Sequence, residues 1–209
     1  MNLQLVTPPT EWPLYEAEFE AHARAKGQPL DQLQPYIHAA ASHLETICNR
    51  RFLQQTWKLF LDGFPASGEI ALPYSPLVSV THLKYTNTAG TQTTLPTTEY
   101  AVSLRTPGLL RLKYNKTWPT DTLETTDPIE VQFVCGWNNA ASVPLPLKQA
   151  IRMLASHFYE NREAVIVGTT AAVDEAELPF AVSALIAPWR VWHRRHPESG
   201  LLGLGQGAL

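Results

Sequence analysis

The sequence has few charged residues, only two cysteines and no long apolar run. Charged residues make up 17% of the 209 residues, against about a quarter in average globular proteins. Together with six tryptophans, this predicts either a large core or a surface that partners cover. Cys48 and Cys135 are too few for a disulfide framework, and we expect both to be buried as small apolar side chains.

Several classes of protein are disfavoured by what is missing. No stretch approaches the roughly 18 apolar residues of a membrane span, and the N-terminal segment lacks the basic and apolar regions of a signal peptide. We therefore expect no membrane partner, and a chain that stays in a cytoplasm or leaves it only inside a larger particle. The formal net charge of −3 argues against a general nucleic-acid binder, which usually carries a strong basic excess.

The sequence also lacks the spacing patterns of common catalytic and metal sites. Its seven histidines form no HExxH pattern, and no GxSxG elbow or Cys–His signature marks a nucleophile. The glycine-rich stretch Gly203–Gly207 follows no predicted strand, so it does not indicate a phosphate-binding loop. We predict no catalytic residue, no metal site and no cofactor.

The longest regular pattern predicts a helix over residues 144–162. Pro144 and Pro146 stand at its start, where a missing N–H costs little. Lys148 falls outside the apolar stripe of this helix. The stripe itself recurs at helical spacing and consists of Leu147, Ile151, Leu154 and Phe158.

Three further helices are predicted on either side of a β-rich segment. The first spans residues 14–26, and the second runs from Asp31, which could cap it, to about residue 49. The last spans residues 178–192 with a break at Pro188. Residues 1–13 form an extended arm because three prolines there oppose a helix. The apolar stripe of the second helix contains Leu33, Tyr36, Ile37, Ala40, Leu44, Ile47 and Cys48.

Between the helices the apolar period changes to two, which predicts six or seven short strands. The clearest strand has Ile129, Val131, Phe133 and Cys135 at every second position, with Glu130 and Gln132 as the polar residues between them. We therefore predict an α+β fold. A helical core, formed by an N-terminal helix pair and two C-terminal helices, is interrupted by an inserted antiparallel β-domain. The boundaries are 1–53 for the arm and first helices, 54–143 for the β-domain, 144–192 for the C-terminal helices and 193–209 for a docking tail.

One basic cluster follows the last predicted helix. Arg190, Arg194 and Arg195 are interleaved with Trp189 and Trp192. Cations at this place can complement the C-terminus of a helix, or they can contact phosphate or an acidic partner. Tryptophan and arginine are favoured anchors at interfaces, so the pattern slightly favours an interface.

Six stretches of the sequence, in order, carry a family resemblance. They are LVTPP at 5–9, TWKLFLDGFP at 56–65, LPYSPLVSVTHLKY at 72–85, VQFVCGW at 131–137, VPLPLKQAIRMLASHFYENRE at 143–163 and LPFAVSALIAPWRVW at 178–192. Over roughly residues 3–192 the chain resembles the head–tail connector, or adaptor, proteins of tailed bacteriophages and gene transfer agents. The PLVSV strand and the HFYENRE helix end are the most specific parts.

The resemblance implies a non-enzymatic structural protein of the virion neck, assembled in the host bacterial cytoplasm. It implies a homo-oligomeric ring, usually twelve-fold, beneath the portal protein. Such a ring extends the channel for double-stranded DNA without reading its sequence, and it is a platform for head-closure, stopper or tail proteins. The C-terminal segment of the family commonly reaches the portal. The residues that would dock here are Arg190, Trp192, Arg194, Arg195, Leu201, Leu202 and Leu204.

The end of the long helix predicts a contact between ring subunits, because it combines an aromatic, an amide and charged groups. These residues are Tyr159, Glu160, Asn161 and Arg162.

Two alternatives to the adaptor function stay open. One is a head-closure or tail-terminator protein of the same particle, although the long C-terminal helices favour the adaptor. The other is a carbohydrate-binding module or enzyme, which would need a cleft with convergent polar groups around Trp57, Tyr74, Trp118 and Trp137.

Overall fold

The computed structural model of the chain describes residues 2–23, 29–161 and 179–192. The described residues form helices and antiparallel sheets, so the predicted α+β fold is confirmed. They divide into two compact units. The helical unit contains Thr10–Leu53 and Trp137–Arg190, and the β unit contains the segment that ends at Pro9, Gln54–Gly136 and, among the described residues, 191–192. The helical unit is thus built from two segments of chain that flank the β segment.

The helical unit contains four helices among the described residues: α1 Glu16–Ala23, α2 Leu30–Cys48, α3 Leu145–Glu160 and α4 Phe180–Ile186. Helix α3 packs against each of the other three, and α1 also packs against α2. Short 3-10 turns cover Ala140–Ser142 and Ala187–Trp189. Pro188 lies in the second of these turns, which agrees with the predicted break, but α4 itself is shorter than the helix predicted at 178–192.

The predicted apolar stripes form the core of the helical unit. Leu147, Ile151 and Leu154 of α3 are buried against Leu33, Ile37, Ala40, Leu44 and Cys48 of α2 in one cluster. Burial of side chains of this size stabilises a fold by about 1.5–3 kcal/mol each. Both helices were therefore correctly predicted from periodicity.

Two details of these helices differ from the sequence-based expectation. Asp31 lies inside the first turn of α2, and Pro29 occupies the N-cap position without a side-chain hydrogen bond. Lys148 is only 6% exposed although it lies outside the predicted stripe, because its ammonium group reaches Glu18. Tertiary packing therefore overrides the local pattern at both positions.

The β unit contains eight strands among the described residues. They are β1 Asn2–Thr7, β2 Gln55–Leu61, β3 Glu69–Ala71, β4 Leu77–Thr86, β5 Gln92–Thr94, β6 Tyr100–Ser103, β7 Leu109–Leu112 and β8 Ile129–Cys135. A five-stranded sheet has the order β1-β2-β8-β4-β5, and a three-stranded sheet has the order β3-β7-β6. All pairings between these strands are antiparallel.

Strand β8 lies in the middle of the five-stranded sheet and contributes one complete face to the core. Ile129, Val131, Phe133 and Cys135 are buried, and the residues between them are half-buried. The other core residues of the β unit come from both sheets: Leu59, Ile70, Leu72, Leu77, Leu83, Leu95, Tyr100 and Leu110. The strict alternation explains why this strand was predictable from sequence.

The first residues of the chain differ from the predicted arm. They form strand β1, in which Leu3 pairs with Leu59 and Leu5 pairs with Trp57 of β2. Asn2 also donates hydrogen bonds from Nδ2 to the carboxylate of Asp127, 3.1 Å to each oxygen. The segment is extended, as expected, but it belongs to the β unit.

Candidate functional site

Arg50 occupies the centre of an aromatic cluster in the helical unit. Its guanidinium carbon lies 5.8 Å from the ring centroids of both Trp137 and Trp189, and its Nε donates a hydrogen bond to the carbonyl oxygen of Trp189 at 2.5 Å. The ring of Phe52 also contacts Trp137, with ring centroids 6.3 Å apart. Arg50 is 8% exposed, so burial lowers the pKa of its guanidinium.

The end of α2 places Arg50 at this position. Asn49 adopts a left-handed conformation with φ of 50°, which is a common way to end a helix. The backbone N–H of Arg50 donates to the carbonyl of Glu45, and the carboxylate of Glu45 accepts from the N–H of Phe52 at 2.6 Å. Burial raises the pKa of Glu45, although this hydrogen bond and the charge of Arg51 oppose the shift.

The cluster ties the C-terminal segment to the rest of the helical unit. Trp189 is the last residue of the 3-10 turn that follows α4. Arg50 therefore fixes the point from which the chain continues to Arg190, the first of the predicted portal-docking residues. The two indole rings also contact each other edge to face, with centroids 6.3 Å apart, and each cation–π pair contributes about 2 kcal/mol when desolvated.

The predicted docking residues fall only partly within the described chain. Arg190 is exposed, and Trp192 is 74% exposed. Arg194, Arg195, Leu201, Leu202 and Leu204 lie outside the described residues. Two of the predicted docking residues, Arg190 and Trp192, are therefore exposed on either side of the buried Val191.

One of the four residues predicted to contact a neighbouring ring subunit, at the end of α3, packs within the helical unit. Tyr159 is half-buried and meets Phe19 of α1 and Tyr36 of α2 edge to face, with ring centroids 6.4 and 5.5 Å apart. Asn161 ends the helix by donating from Nδ2 to the carbonyl of His157. Glu160 and Asn161 are exposed, and Arg162 lies outside the described residues. The polar residues Glu160 and Asn161 at the end of α3 are therefore at the surface, whereas Tyr159 packs against α1 and α2 of the same chain.

Two exposed aromatic side chains and two half-buried acidic ones lie beside α1 and α2. Trp12 stacks on His38 with centroids 3.5 Å apart and planes 20° apart, and Tyr15 is 50% exposed. Together with Glu11 and Glu16 these residues form what we call the acidic–aromatic surface. Burial lowers the pKa of His38, partly opposed by the charge of Glu16, which disfavours the cationic imidazole at this surface.

Hydrogen bonds hold the acidic–aromatic surface in place. The hydroxyl of Tyr15 donates to Glu11 at 3.5 Å, and Nε2 of Gln34 donates to Glu16 at 2.8 Å. Below the surface, Glu18 of α1 pairs with Arg152 at 3.1 Å and Lys148 at 3.8 Å, both of α3. These contacts fix α1 on its neighbours, so the exposed rings are presented on a rigid support.

The aromatic residues that would build a carbohydrate site do not share one cleft. Trp57 contacts Tyr74 in the β unit with centroids 4.9 Å apart, and its Nε1 donates to Gln55. Trp118 stacks on Phe64 and donates to the carbonyl of Pro65. Trp137 belongs to the helical unit. The Trp57–Tyr74 pair, Trp118 and Trp137 are therefore engaged in three separate packing contacts.

A depression of about 480 Å³ in the β unit lies next to Trp118. Its charged lining residues are already paired: Arg111 with Glu69 at 2.7 Å and Lys116 with Glu99 at 3.1 Å. Paired ions offer little to a polar ligand, so this depression does not provide the convergent polar groups of a binding cleft.

A polar cluster crosses the middle of the five-stranded sheet. Glu130 of β8 accepts from His82 of β4 at 2.7 Å and from Lys58 of β2 at 3.1 Å. Burial raises the pKa of Glu130, but the hydrogen bonds and charges of His82 and Lys58 outweigh that effect and lower its pKa overall. The cluster links three strands and has the character of a structural ion pair.

Within residues 2–23, 29–161 and 179–192, no group of three or more potential ligands could hold a metal ion. No helix in the same part of the chain is long and apolar enough to cross a membrane. The sites that the described residues do offer are surfaces with exposed aromatic and charged groups, which suit contacts with other proteins.

Sequence reasoning did not find Arg50, Trp12 or His38. Trp12 and His38 meet only through tertiary packing, so no local spacing could have joined them. Arg50 carried a weak signal, because it follows an asparagine at the end of a strongly periodic helix, where the chain must turn. Its aromatic partners lie far along the sequence at Trp137 and Trp189.

No protein-family model and no curated protein sequence matches the chain, but solved structures do. A chain from the virion of a native gene transfer agent particle has a TM-score of 0.75 and 25% identity, covering 93% of this chain and 97% of that one. A chain from the neck of an empty gene transfer agent particle, computed with C6 symmetry, has a TM-score of 0.75 and 24% identity, covering 95% and 100%.

A third similar chain comes from the neck of the native gene transfer agent particle, computed with C12 symmetry. It has a TM-score of 0.71 and 25% identity, and the match covers 95% of this chain and 100% of that one. The fold is therefore shared over nearly the whole length of both chains. This similarity supports a structural component of a phage-like particle neck, present there as an oligomeric ring.

Proposed function

We propose that the protein is the head–tail connector, or adaptor, of a phage-like particle. It forms a ring beneath the portal, extends the DNA channel and carries the head-closure, stopper or tail proteins. The observation that carries the proposal is the similarity, over 95% of this chain, to chains from a particle neck. The stretches from LVTPP to LPFAVSALIAPWRVW support the adaptor among neck proteins.

The ring is proposed to have twelve subunits. One of the similar neck structures was computed with C12 symmetry. A ring subunit uses two different surfaces, since each copy contacts the next through a heterologous interface that closes on itself. The end of α3, with Glu160, Asn161 and Arg162, is proposed to take part in this contact.

The segment from Arg190 to Leu209 is proposed to dock on the portal. The exposed side chains of Arg190 and Trp192 stand at its start, and Arg50 fixes the residue that precedes it. The anchors proposed further along are Arg194, Arg195, Leu201, Leu202 and Leu204. An arm that docks in this way gives a large contact area from few residues, at a cost in conformational entropy.

The role is proposed to be non-enzymatic. The ring would let double-stranded DNA pass during genome ejection without reading its sequence, and the net charge of −3 suits a channel that does not hold DNA tightly. The subunit would be made in the bacterial cytoplasm and end in the virion neck.

The proposal is tested by native mass spectrometry and electron microscopy of the purified protein, alone and with the portal protein of the same particle. We expect a stoichiometric ring on the portal, and we expect a chain that ends at residue 192 not to bind it. A matched control is the full chain with Glu124→Gln, an exposed residue of the β unit. A ring that binds equally well without residues 193–209 would remove the docking site but keep the adaptor. No complex in any mixture would refute the adaptor.

A further inference from the structure

The helical unit has a second exposed surface, which lies on α4 and the turn after it. Phe180 is 88% exposed, and Ala181, Ala184 and Ala187 are exposed beside it, while Arg190 follows at the end. We call these five residues the α4 surface. Helix α4 contains no charged residue. Leaving so much apolar area in water is unfavourable, and such patches mark contact sites when they are contiguous.

The α4 surface and the acidic–aromatic surface are far apart on one chain. Trp12 of the acidic–aromatic surface stacks on His38, whereas Arg50, just after the end of α2, binds Trp189 next to Arg190. His38 and Cys48 are separated by about 15 Å along the helix axis. One copy therefore cannot bring its two surfaces together, but two copies can.

The two surfaces are complementary in charge and in chemistry. Among the described residues, no lysine or arginine pairs with Glu11 or Glu16, whose hydrogen-bond donors are the uncharged Tyr15 and Gln34. The α4 surface offers an aromatic ring, small apolar side chains and a guanidinium group. Arginine can bind a carboxylate with two parallel hydrogen bonds and can stack on an aromatic face.

We propose that the acidic–aromatic surface of one copy binds the α4 surface of the next copy in the ring. This inference rests on the proposed ring and names the faces that meet in it. Because the surfaces differ, the contact is head-to-tail and propagates around a ring, whereas a self-complementary patch would stop at a dimer. It gives Arg190 a contact with the neighbouring subunit at the point where the segment proposed to dock on the portal begins.

Charge exchange tests the contact. Glu16→Arg and Arg190→Glu should each weaken ring assembly about ten-fold or more, because each replaces an attraction with a like-charge contact. The double variant with both changes should regain most of the loss. Glu124→Arg, at an exposed position of the β unit, is the control and should assemble normally. Assembly of Glu16→Arg at the level of the unchanged protein would refute the contact.

A cross-linking experiment serves if Arg190→Glu fails to fold. A photoreactive benzoylphenylalanine at Tyr15 should cross-link to the peptide containing residues 180–190 of another copy. The same group at Tyr114, which is 99% exposed in the β unit, should not. Rings whose cross-links from position 15 map elsewhere would overturn this contact and keep the ring. Absence of multimers, with and without portal, would overturn the ring itself.

Discussion

The guanidinium group of Arg50 lies over the indole ring of Trp189 and donates a hydrogen bond to the carbonyl oxygen of the same residue. Both the side chain and the backbone of Trp189 are thus held by one residue at the end of α2. The contact joins residues 139 positions apart. It closes the helical unit at the place where the chain continues towards the residues proposed to dock on the portal.

We expect Arg50→Ala to lower the free energy of unfolding by about 2–3 kcal/mol, because it removes a charged hydrogen bond and two cation–π contacts. Part of this loss in the free energy of unfolding is offset, because the folded variant no longer has to bury a desolvated cation. Urea unfolding followed by tryptophan fluorescence measures the change. Arg105→Ala, at an exposed arginine, should stay within about 0.5 kcal/mol of the unchanged protein. Equal changes in the free energy of unfolding for Arg50→Ala and Arg105→Ala would show that the Arg50 cluster does not stabilise the fold.

Gly108→Ala should destabilise the β unit by about 1–3 kcal/mol through overpacking. A Cβ atom at Gly108 would stand 2.8 Å from Cβ and 2.7 Å from Cδ2 of Leu77, a core residue. Gly63→Ala is the matched control, because a Cβ there would meet nothing within 4 Å. Thermal unfolding should therefore show a lower Tm for Gly108→Ala and little change for Gly63→Ala. An unchanged Tm for Gly108→Ala would mean that Leu77 moves aside freely.

The Glu130 cluster should make stability depend on pH on the acid side. The pKa of Glu130 is lower in the folded chain than its ordinary value of 4.5, so its contribution is present above about pH 4.5 and is lost as the pH falls through the folded pKa. We expect Glu130→Gln to be less stable than the unchanged protein near pH 6 and to lose less stability on acidification. Midpoints of urea unfolding, measured at several pH values from about pH 6 downwards, test both expectations. Glu124→Gln should follow the unchanged protein, and an identical pH profile for Glu130→Gln would contradict the role of the cluster.

The thiol of Cys48 should be unreactive in the folded protein. Burial raises its pKa to about 11, despite the opposing charges of Arg190 and Arg50, so only about one thiol in a thousand is ionised at pH 8. Because the thiolate is the reactive form, alkylation by iodoacetamide should be slow until denaturant is added. Peptide mass spectrometry distinguishes Cys48 from Cys135, which is also buried. Labelling of folded Cys48 at the rate of the denatured chain would contradict this expectation.

Periodicity identified the elements whose packing is strictly repetitive. Helices α2 and α3 and strand β8 each bury one face along their whole length, so the positions of Ile37, Leu154 and Val131 follow from spacing alone. Strand β1 was described from its prolines as an arm, because an edge strand with all its residues exposed has no alternation to detect. Its pairing with β2 depends on a partner about fifty residues away in sequence.

The candidate surfaces were less accessible to sequence reasoning. The basic and aromatic composition around Arg190 and Trp192 was visible, because these residues are neighbours in the chain. The stacking of Trp12 on His38 and the burial of Lys148 beside Glu18 are tertiary events. Tyr159 widens the apolar stripe of the long helix and lies about 100° around the helix from the exposed Glu160, and it packs inside its own unit.

The division of the helical unit into two chain segments has a consequence for synthesis. Helices α1 and α2 leave the ribosome early, but α3, which covers their apolar face, begins only at Leu145, after the whole β segment. Because domains complete their folding when all their parts are available, the core shared by α2 and α3 and the Arg50 cluster cannot form until α3 and Trp189 have followed the β segment out of the ribosome. The apolar face of α2 therefore stays uncovered by α3 while the β segment is being made.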